Sequence, residues 1–308
     1  MGVAAEVAEA LWGAGERALG VDDPVLAVEV LLGRPLVSAI CLPCLATRPG
    51  GKRTPGRESE IRAADRCAMY RALRVIAIAP VLDEARKIGE VVRRTPRPLV
   101  DQVLVVDDGS TDGSPDVARA AGATVLSMGR TVGVGAALRA GYAYAVEHGC
   151  DAAVVMAGNN KDAPEEIPLL LDPIADGRAD LVQGSRFLKR GADFGDMPLY
   201  RRIATRVHPL LFSLAARRWV TESTNGFRAL HRRVLSDPRL DLAQPWLDGY
   251  ELEPYLYLRA IRLGYRTVEV PVTKIYPPRR LGQTKMKPLT GWWSMLRPLV
   301  YVGLGLKR

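Results

Sequence analysis

The sequence predicts an α/β protein with a largely parallel central sheet flanked by helices. Three observations carry that expectation. Short runs that are apolar almost throughout recur along the chain, helix-like stretches separate them, and the unusual polar clusters each sit just after an apolar run. Strands buried on both faces lose the alternation of half-exposed ones, as in a parallel sheet between two helical layers. In such sheets a ligand lies beyond the carboxyl ends of the strands.

The regular pattern begins at Arg74. "RVIAIAPV" (74–81) reads as the first strand, and Asp83-Glu84 follows it. "EARKIGEVVRR" has helical spacing, and "VLVVDD" (103–108) is the next strand, ending on two carboxylates and a Gly/Ser/Thr turn. "SPDVARAAG" and "TVLSM" repeat the helix–strand unit, and "GAALRAGYAYAVEHG" is a long helical stretch. "AAVVMA" (152–157) is a strand that breaks abruptly into "GNNKDAPEEIP". "DLVQGS" (180–185) is followed by Arg186, and "GYELEPYLYLRAIRLGYRTVEVPV" is a helix running into a strand. "KPLTGWWSMLRPLVYVGLGLKR" closes the chain with two tryptophans, an apolar run and a basic end. It is either an interfacial anchor or a helix packed on the domain.

Residues 1–70 read as an N-terminal extension and linker, 71–290 as the main domain and 291–308 as an amphipathic terminal segment. "TRPGGKRTPGRESEIRAADR" has the Pro/Gly/Arg content of a linker. Met69 lies just before the first strand, so the upstream segment is either an accessory extension or the product of a misplaced start.

A net charge of +9 in 308 residues calls for an anionic partner: a phosphorylated substrate, an acidic membrane surface or nucleic acid. With 6% aromatic residues and no basic–aromatic alternation, nucleic acid is not expected. Cys41 and Cys44 have half-zinc-site spacing but lack nearby partners, so reduced thiols and a cytoplasmic protein are expected. No apolar run reaches the roughly 18–20 residues of a membrane span.

Several clusters admit two readings. In "VLVVDDGSTDGS", Asp112 or Ser114 caps a helix, whereas Asp107 or Asp108 is favoured as a ligand group because two adjacent acids at a strand end exceed what capping needs. "GRTVGVGAALRAG" fails as a dinucleotide fingerprint, because Leu138 takes the third glycine's place. Its glycines serve either a ligand or packing. "DAPEE" has the form of a capping box, with Asp162 as N-cap and Glu165 three residues on. That leaves Asn159, Asn160 and Lys161 unexplained. On a helix Glu251 and Glu253 point about 200° apart, so only one faces a given pocket. Lys274, Arg279, Arg280, Lys285 and Lys287 form either a solvated basic loop or a diphosphate clamp.

Together these motifs, in this order from Arg74 to Lys287, resemble family 2 glycosyltransferases of the GT-A fold, close to the dolichyl-phosphate mannose synthase group. The resemblance implies donor contacts from Pro80, Leu82 and Glu84 of "IAPVLDEA", and from Asp107, Asp108 and Gly109 of "VVDDGSTDGS". It places Arg186 of "GSRF" near the donor and gives Lys285 of "LGQTKMK" a phosphate. It puts "STNGFRAL", with Asn225 and Arg228, on the acceptor side. Counting back eleven residues from Gly264 gives Glu253 as the catalytic acid of inverting members, with Glu251 as alternate. An alcohol or amine acceptor needs such a base, and a phosphate acceptor does not.

The chain departs from the family where its Asp-x-Asp falls on Ala157-Gly158-Asn159. Amide oxygens replace hard carboxylate ligands poorly. The expectation is therefore reduced dependence on Mg²⁺ or Mn²⁺, with Asn159 and Lys161 serving the diphosphate and Asp162 as the one candidate metal ligand. The function implied is an inverting transfer from a nucleotide-diphosphate sugar to a polyprenyl phosphate or another small or carrier-bound acceptor. The enzyme would be cytoplasmic, peripheral on the inner face of a membrane. The alternatives are a catalytically silent nucleotide-sugar-binding or partner-binding relative and a nucleotidyltransferase-like enzyme.

Overall fold

The computed structural model describes residues 70–188, 194–276, 286 and 288–307. The extension up to residue 69, and Arg279, Arg280, Lys285 and Lys287 of the basic loop, lie outside the described residues.

Seven strands form one sheet in the order β3-β2-β1-β4-β6-β5-β7. They are β1 (Val75–Val81), β2 (Gln102–Asp107), β3 (Thr124–Ser127), β4 (Ala152–Val155), β5 (Leu181–Ser185), β6 (Arg228–His231) and β7 (Thr267–Pro271). All pairings are parallel except those of β6, which runs antiparallel to both β4 and β5. The helices are α1 (Ala85–Arg94), α2 (Ser114–Ala120), α3 (Val134–Glu147), α4 (Ile167–Ala175), α5 (Leu199–Ala216), α6 (Arg232–Leu235), α7 (Leu252–Arg262) and α8 (Pro288–Gly303).

Each apolar strand serves two cores. Ile76, Ile78, Leu104 and Val106 pack with Leu138 and Tyr142 of α3 and Tyr255 and Leu256 of α7. The alternate residues Ala77, Ala79, Val103 and Val105 face the other way, against Ile88, Val91 and Val92 of α1 and Leu170 and Leu171 of α4. That two-sided burial explains the unbroken apolar runs.

The sheet is mostly parallel, as expected, but the sequence conceals β6. "RALH" is four residues long, opens on an arginine and lacks an apolar run. Its reversed direction matters, because the amino end of β6 arrives at the edge of the sheet where the parallel strands present their carboxyl ends. Asn225 and Gly226 thereby join the polar clusters that follow β1, β2, β4, β5 and β7.

Gly135, in the first turn of α3, serves packing, whereas Gly133 also lines the cavity described below. The N–H groups of Gly135 and Ala136 donate to the Asp248 carbonyl at 2.8 and 3.1 Å. A Cβ on Gly135 would lie 2.0 Å from the Leu247 carbonyl oxygen and 2.5 Å from that of Gly249. Gly135→Ala therefore forces α3 off the 247–249 loop, and we expect it to lower stability by about 1–3 kcal/mol. Gly303→Ala, whose Cβ would find only the Ala215 methyl at 4.0 Å, should stay within about 0.5 kcal/mol of the parent. Urea unfolding of the two variants checks the contrast.

Candidate active site

A cavity of about 410 Å³ opens at the carboxyl edge of the sheet. Pro80, Leu82 and Glu84 line it from the end of β1, Asp108 from the end of β2 and residues 155–159 and Lys161 from the end of β4. Arg201 and Thr205 of α5 reach it from one side, Tyr250 and Glu253 from the start of α7, and Trp292 and Met295 from α8.

The loop after β4 is closed by its own carboxylate. Asp162 accepts the Ala157 N–H at 2.8 Å, and its other oxygen meets the Lys274 ammonium at 2.6 Å. Lys274 also donates to Asn225 Oδ1 at 2.9 Å. The capping-box reading therefore fails. The short 3₁₀ turn Pro164–Glu166 has Ala163 at its N-cap and no side-chain cap. Glu165 instead pairs with Arg94, which also donates to Asn160 Oδ1 at 2.7 Å. Asn160 sits at φ +57°, a conformation asparagine tolerates, and so serves the turn.

Asn159 and Lys161 are the residues of this loop left for a ligand. The buried Oδ1 of Asn159 has no hydrogen-bond partner among the described residues. Lys161 makes no ion pair among them; its Nζ lies 4.9 Å from the centre of the Tyr276 ring, and Arg201 stands 5.5 Å from the same ring. Burial, followed by the Arg201 and Lys274 charges, pushes the Lys161 pKa down to about 8; Glu84 opposes the shift and Lys87 adds to it. Lys87 itself pairs with Glu84 at 2.7 Å. Four cations thus converge on one wall, and an anion bound there relieves their repulsion.

A divalent ion does not fit these donors. Mg²⁺ and Mn²⁺ want several hard, preferably anionic oxygens. Asp162 already holds an ammonium and a backbone amide, Asn159 is neutral, and among the described residues no three His, Cys, Asp or Glu side chains are grouped to hold a metal. Asp162, the expected metal ligand, is outside the cavity lining.

The structure divides the other expected site residues. Pro80, Leu82, Glu84, Asp108, Asn159, Lys161, Arg186 and Glu253 come together around the cavity. Asp107 does not: its carboxylate accepts from Ser110 N at 3.0 Å and Ser127 Oγ at 3.3 Å. Even Asp108 accepts the Val132 and Gly133 amides at 2.7 and 3.0 Å, bracing the turn before α3. Gly109 (φ +81°) gives close approach to the Arg130–Thr131 backbone, 2.5 Å from where its Cβ would stand, and not to a ligand.

Arg186 reaches the cavity without a free charge. It is 1% exposed, bonded to Glu222 at 2.5 Å and to the Tyr276 hydroxyl and Thr224 Oγ1 at 3.2 Å each. Its role here is to position Thr224 and Tyr276. Glu251 points away from the cavity and pairs with Arg297 of α8. Glu253 faces in, with its buried Oε1 lacking a hydrogen-bond partner. Arg228, expected on the acceptor side, is buried behind Glu253, donating to its carbonyl at 3.0 Å with the carboxylate 3.5 Å away. Asn225 is spent on Lys274 and the Gly184 carbonyl. Lys285 lies outside the described residues.

Sequence reasoning missed Lys87, Arg201 and Tyr276 and left Lys274 inside a loop. The signal for Lys274 was present, since it follows β7 as the other polar clusters follow their strands. Arg201 comes from mid-chain helix and carries no such mark.

A family model described as glycosyl transferase family 2 matches residues 77–238. The polyprenol monophosphomannose synthase of Mycolicibacterium smegmatis is 32% identical over 240 residues, 75% of this chain and 88% of its own. The undecaprenyl-phosphate mannosyltransferase of Micrococcus luteus is 33% identical over 220 residues, 70% and 88% of the two chains. The dolichyl-phosphate hexose transferase of Haloferax volcanii is 32% identical over 229 residues, 72% and 90%. Among solved structures, glucosyl-3-phosphoglycerate synthase from Mycobacterium tuberculosis, bound to Mn²⁺, UDP and phosphoglyceric acid, superposes with a TM-score of 0.55 at 24% identity, over 82% of this chain and 84% of that one. At that identity the likeness speaks for the GT-A fold.

The crowding of Lys161 has a measurable consequence. Below about pH 8 it is charged in both folded and unfolded chains, and the folded state bears the full penalty. Between about 8 and the ordinary 10.5 only the unfolded chain keeps the proton, so this group makes stability rise with pH. Lys161→Met should be more stable than the parent at pH 7, and the difference should shrink by pH 10. Urea midpoints at the two pH values check it, and an unchanged difference contradicts the assignment.

Proposed function

The chain belongs to glycosyl transferase family 2 and is a sugar-transferring enzyme, and on that footing we propose that it moves a sugar from a nucleotide-diphosphate sugar to a polyprenyl phosphate, with inversion. The carrying observation is the cavity's division of labour. One wall presents Lys161, which has no ion pair among the described residues, with three other cations and the Asn159 amide oxygen, unpartnered among the same residues; Glu253, Thr205 and Trp292 line the remainder. The names of the relatives favour the same acceptor class.

The chemistry is a single displacement. An acceptor phosphate oxygen bonds to the anomeric carbon as the bond from that carbon to the diphosphate breaks, and the electron pair leaves with the nucleoside diphosphate. Lys161, Lys274, Arg201 and Lys87 offset the charge developing on the leaving group, and the amide oxygen of Asn159, without a partner among the described residues, is available to accept from a donor hydroxyl. No proton has to be removed, because the acceptor is already anionic. Among cavity-lining carboxylates Glu84 is paired with Lys87 and Asp108 with backbone amides. Glu253, whose Oε1 stands 3.5 Å from the Arg228 guanidinium and accepts no hydrogen bond among the described residues, is the cavity-facing carboxylate placed to orient a sugar hydroxyl.

Incubation with a panel of nucleotide sugars and a polyprenyl phosphate tests the reading. Release of nucleoside diphosphate coupled to a glycosylated lipid phosphate is expected. Binding without turnover points to the silent relative; a nucleotidyltransferase would leave this panel unchanged and instead release pyrophosphate from a nucleoside triphosphate supplied with a sugar 1-phosphate.

Two predictions refine it. Excess EDTA should leave most of the turnover, while Lys161→Ala lowers kcat by about 10²-fold, the size of one lost transition-state donor. Lys274→Ala should do the same in EDTA and recover partly with Mn²⁺, since it frees the Asp162 carboxylate. Complete loss in EDTA for the parent, with an indifferent Lys161→Ala, rejects the cationic mechanism. Secondly, Glu253→Gln should retain activity within about ten-fold. A loss of about 10²–10⁴-fold would make Glu253 a general base and the acceptor a hydroxyl.

A further inference from the structure

Among the described residues no helix is long and apolar enough to cross a membrane, yet α5 carries an apolar face that the fold leaves uncovered. Leu199, Ile203, Val207, Leu210, Leu211 and Leu214 are all exposed, Leu199 at 70%, Ile203 at 56% and Leu214 at 80%. At 100° per residue they fall within a stripe about 120° wide. Such a stripe ordinarily marks the side of a helix that packs into a core. Here the core-facing side is the other one, where Thr205, His208, Phe212 and Ala216 are buried.

The surroundings of the stripe identify its partner. Arg202 and Arg206 flank one edge, both exposed and neither ion-paired among the described residues. Arg217 and Trp219 are exposed just beyond the helix end, and α5 contains no aspartate or glutamate. α8, packed beside α5, exposes Trp293 and Val300, and the residues after it add Leu304 and Leu306. A large apolar surface edged by arginines and tryptophan, with no acid on the helix itself, complements anionic lipid: the apolar side chains enter the acyl boundary and the guanidiniums meet phosphate. A second copy of the chain would bring the same unbalanced arginines and no carboxylate from this helix to meet them.

We propose that α5, extended by the exposed side of α8, docks the protein on an anionic bilayer surface, parallel to the membrane plane. The proposal stands apart from the sugar chemistry, and its test reads binding alone. Full-length protein is floated with vesicles of phosphatidylcholine, with or without about one third phosphatidylglycerol. Binding should be strong with the anionic vesicles, weak with neutral ones and reduced by salt.

Ile203→Asp/Leu214→Asp should lose at least ten-fold in partitioning. Arg202→Gln/Arg206→Gln should lose several-fold on anionic vesicles only. Both variants should keep the parent's circular dichroism and melting temperature, since the altered side chains touch no core. Absence of vesicle binding, or aspartate variants that bind like the parent, overturns the proposal. So does a concentration-dependent dimer in sedimentation that Ile203→Asp/Leu214→Asp dissolves, which would give the face to a second copy.

Discussion

One half-buried ammonium ties the site together. Lys274 arrives just past β7 and bonds to Asp162, which closes the loop after β4, and to Asn225, which precedes β6. Asn225 in turn donates to the Gly184 carbonyl in β5. Removing either partner of such a pair leaves an uncompensated buried charge, costing about 3–5 kcal/mol. With Asp162 committed in this way, the loop cannot offer its carboxylate to a metal, and Asn159 and Lys161 are held facing the cavity. The altered Asp-x-Asp position is thus a consistent arrangement in which a fixed cation stands where an ion-binding carboxylate would need freedom.

A second network supports the same wall from behind. Glu222, fully buried, bonds to Arg186 and to Thr224, and its own amide donates to Glu269 on β7. Arg186 passes the constraint to Tyr276, whose ring lies beneath Lys161 and Arg201. Two cations over one ring gain from its quadrupole what they lose by mutual repulsion only in part, which agrees with the lowered Lys161 pKa. An anion bound beside these cations would lower their mutual repulsion, which suits the cavity to a phosphate-bearing ligand.

Much of this was legible in the sequence. The apolar runs located six strands because two-sided burial leaves no polar alternation to misread. The rule that polar clusters follow strands led to Glu84, Asp108, Asn159 and Lys161, all on the cavity. What failed were roles that depend on long-range partners. Asp162 fits a capping pattern locally, and only Lys274, 112 residues away, redirects it. Arg186 and Arg228 look like free cations until Glu222 and Glu253 are placed beside them. Glu251 and Glu253 are separated by helical geometry that the sequence foretold, but which of the two faces inward depends on Arg297 of α8. β6 escaped because a reversed four-residue strand needs no apolar run of its own when its neighbours supply the burial.

The geometry of α5 connects chemistry to location. Arg201 and Thr205, four residues apart, project from one side of the helix into the cavity. Leu199, Ile203 and Leu210 project from another side to the surface. Since one rigid helix carries both sets, whatever covers the outer stripe fixes the height of the cavity mouth relative to that surface to within a helix diameter, about 10 Å. With the stripe docked as proposed, a lipid phosphate at the headgroup level would approach the side of the cavity from which Arg201 projects. A soluble acceptor would gain nothing from that placement. On the proposed function and the proposed docking, the uncovered stripe and the cationic wall would be two ends of one constraint: an acceptor whose phosphate lies at a membrane surface, and a donor whose diphosphate is neutralised within reach of it.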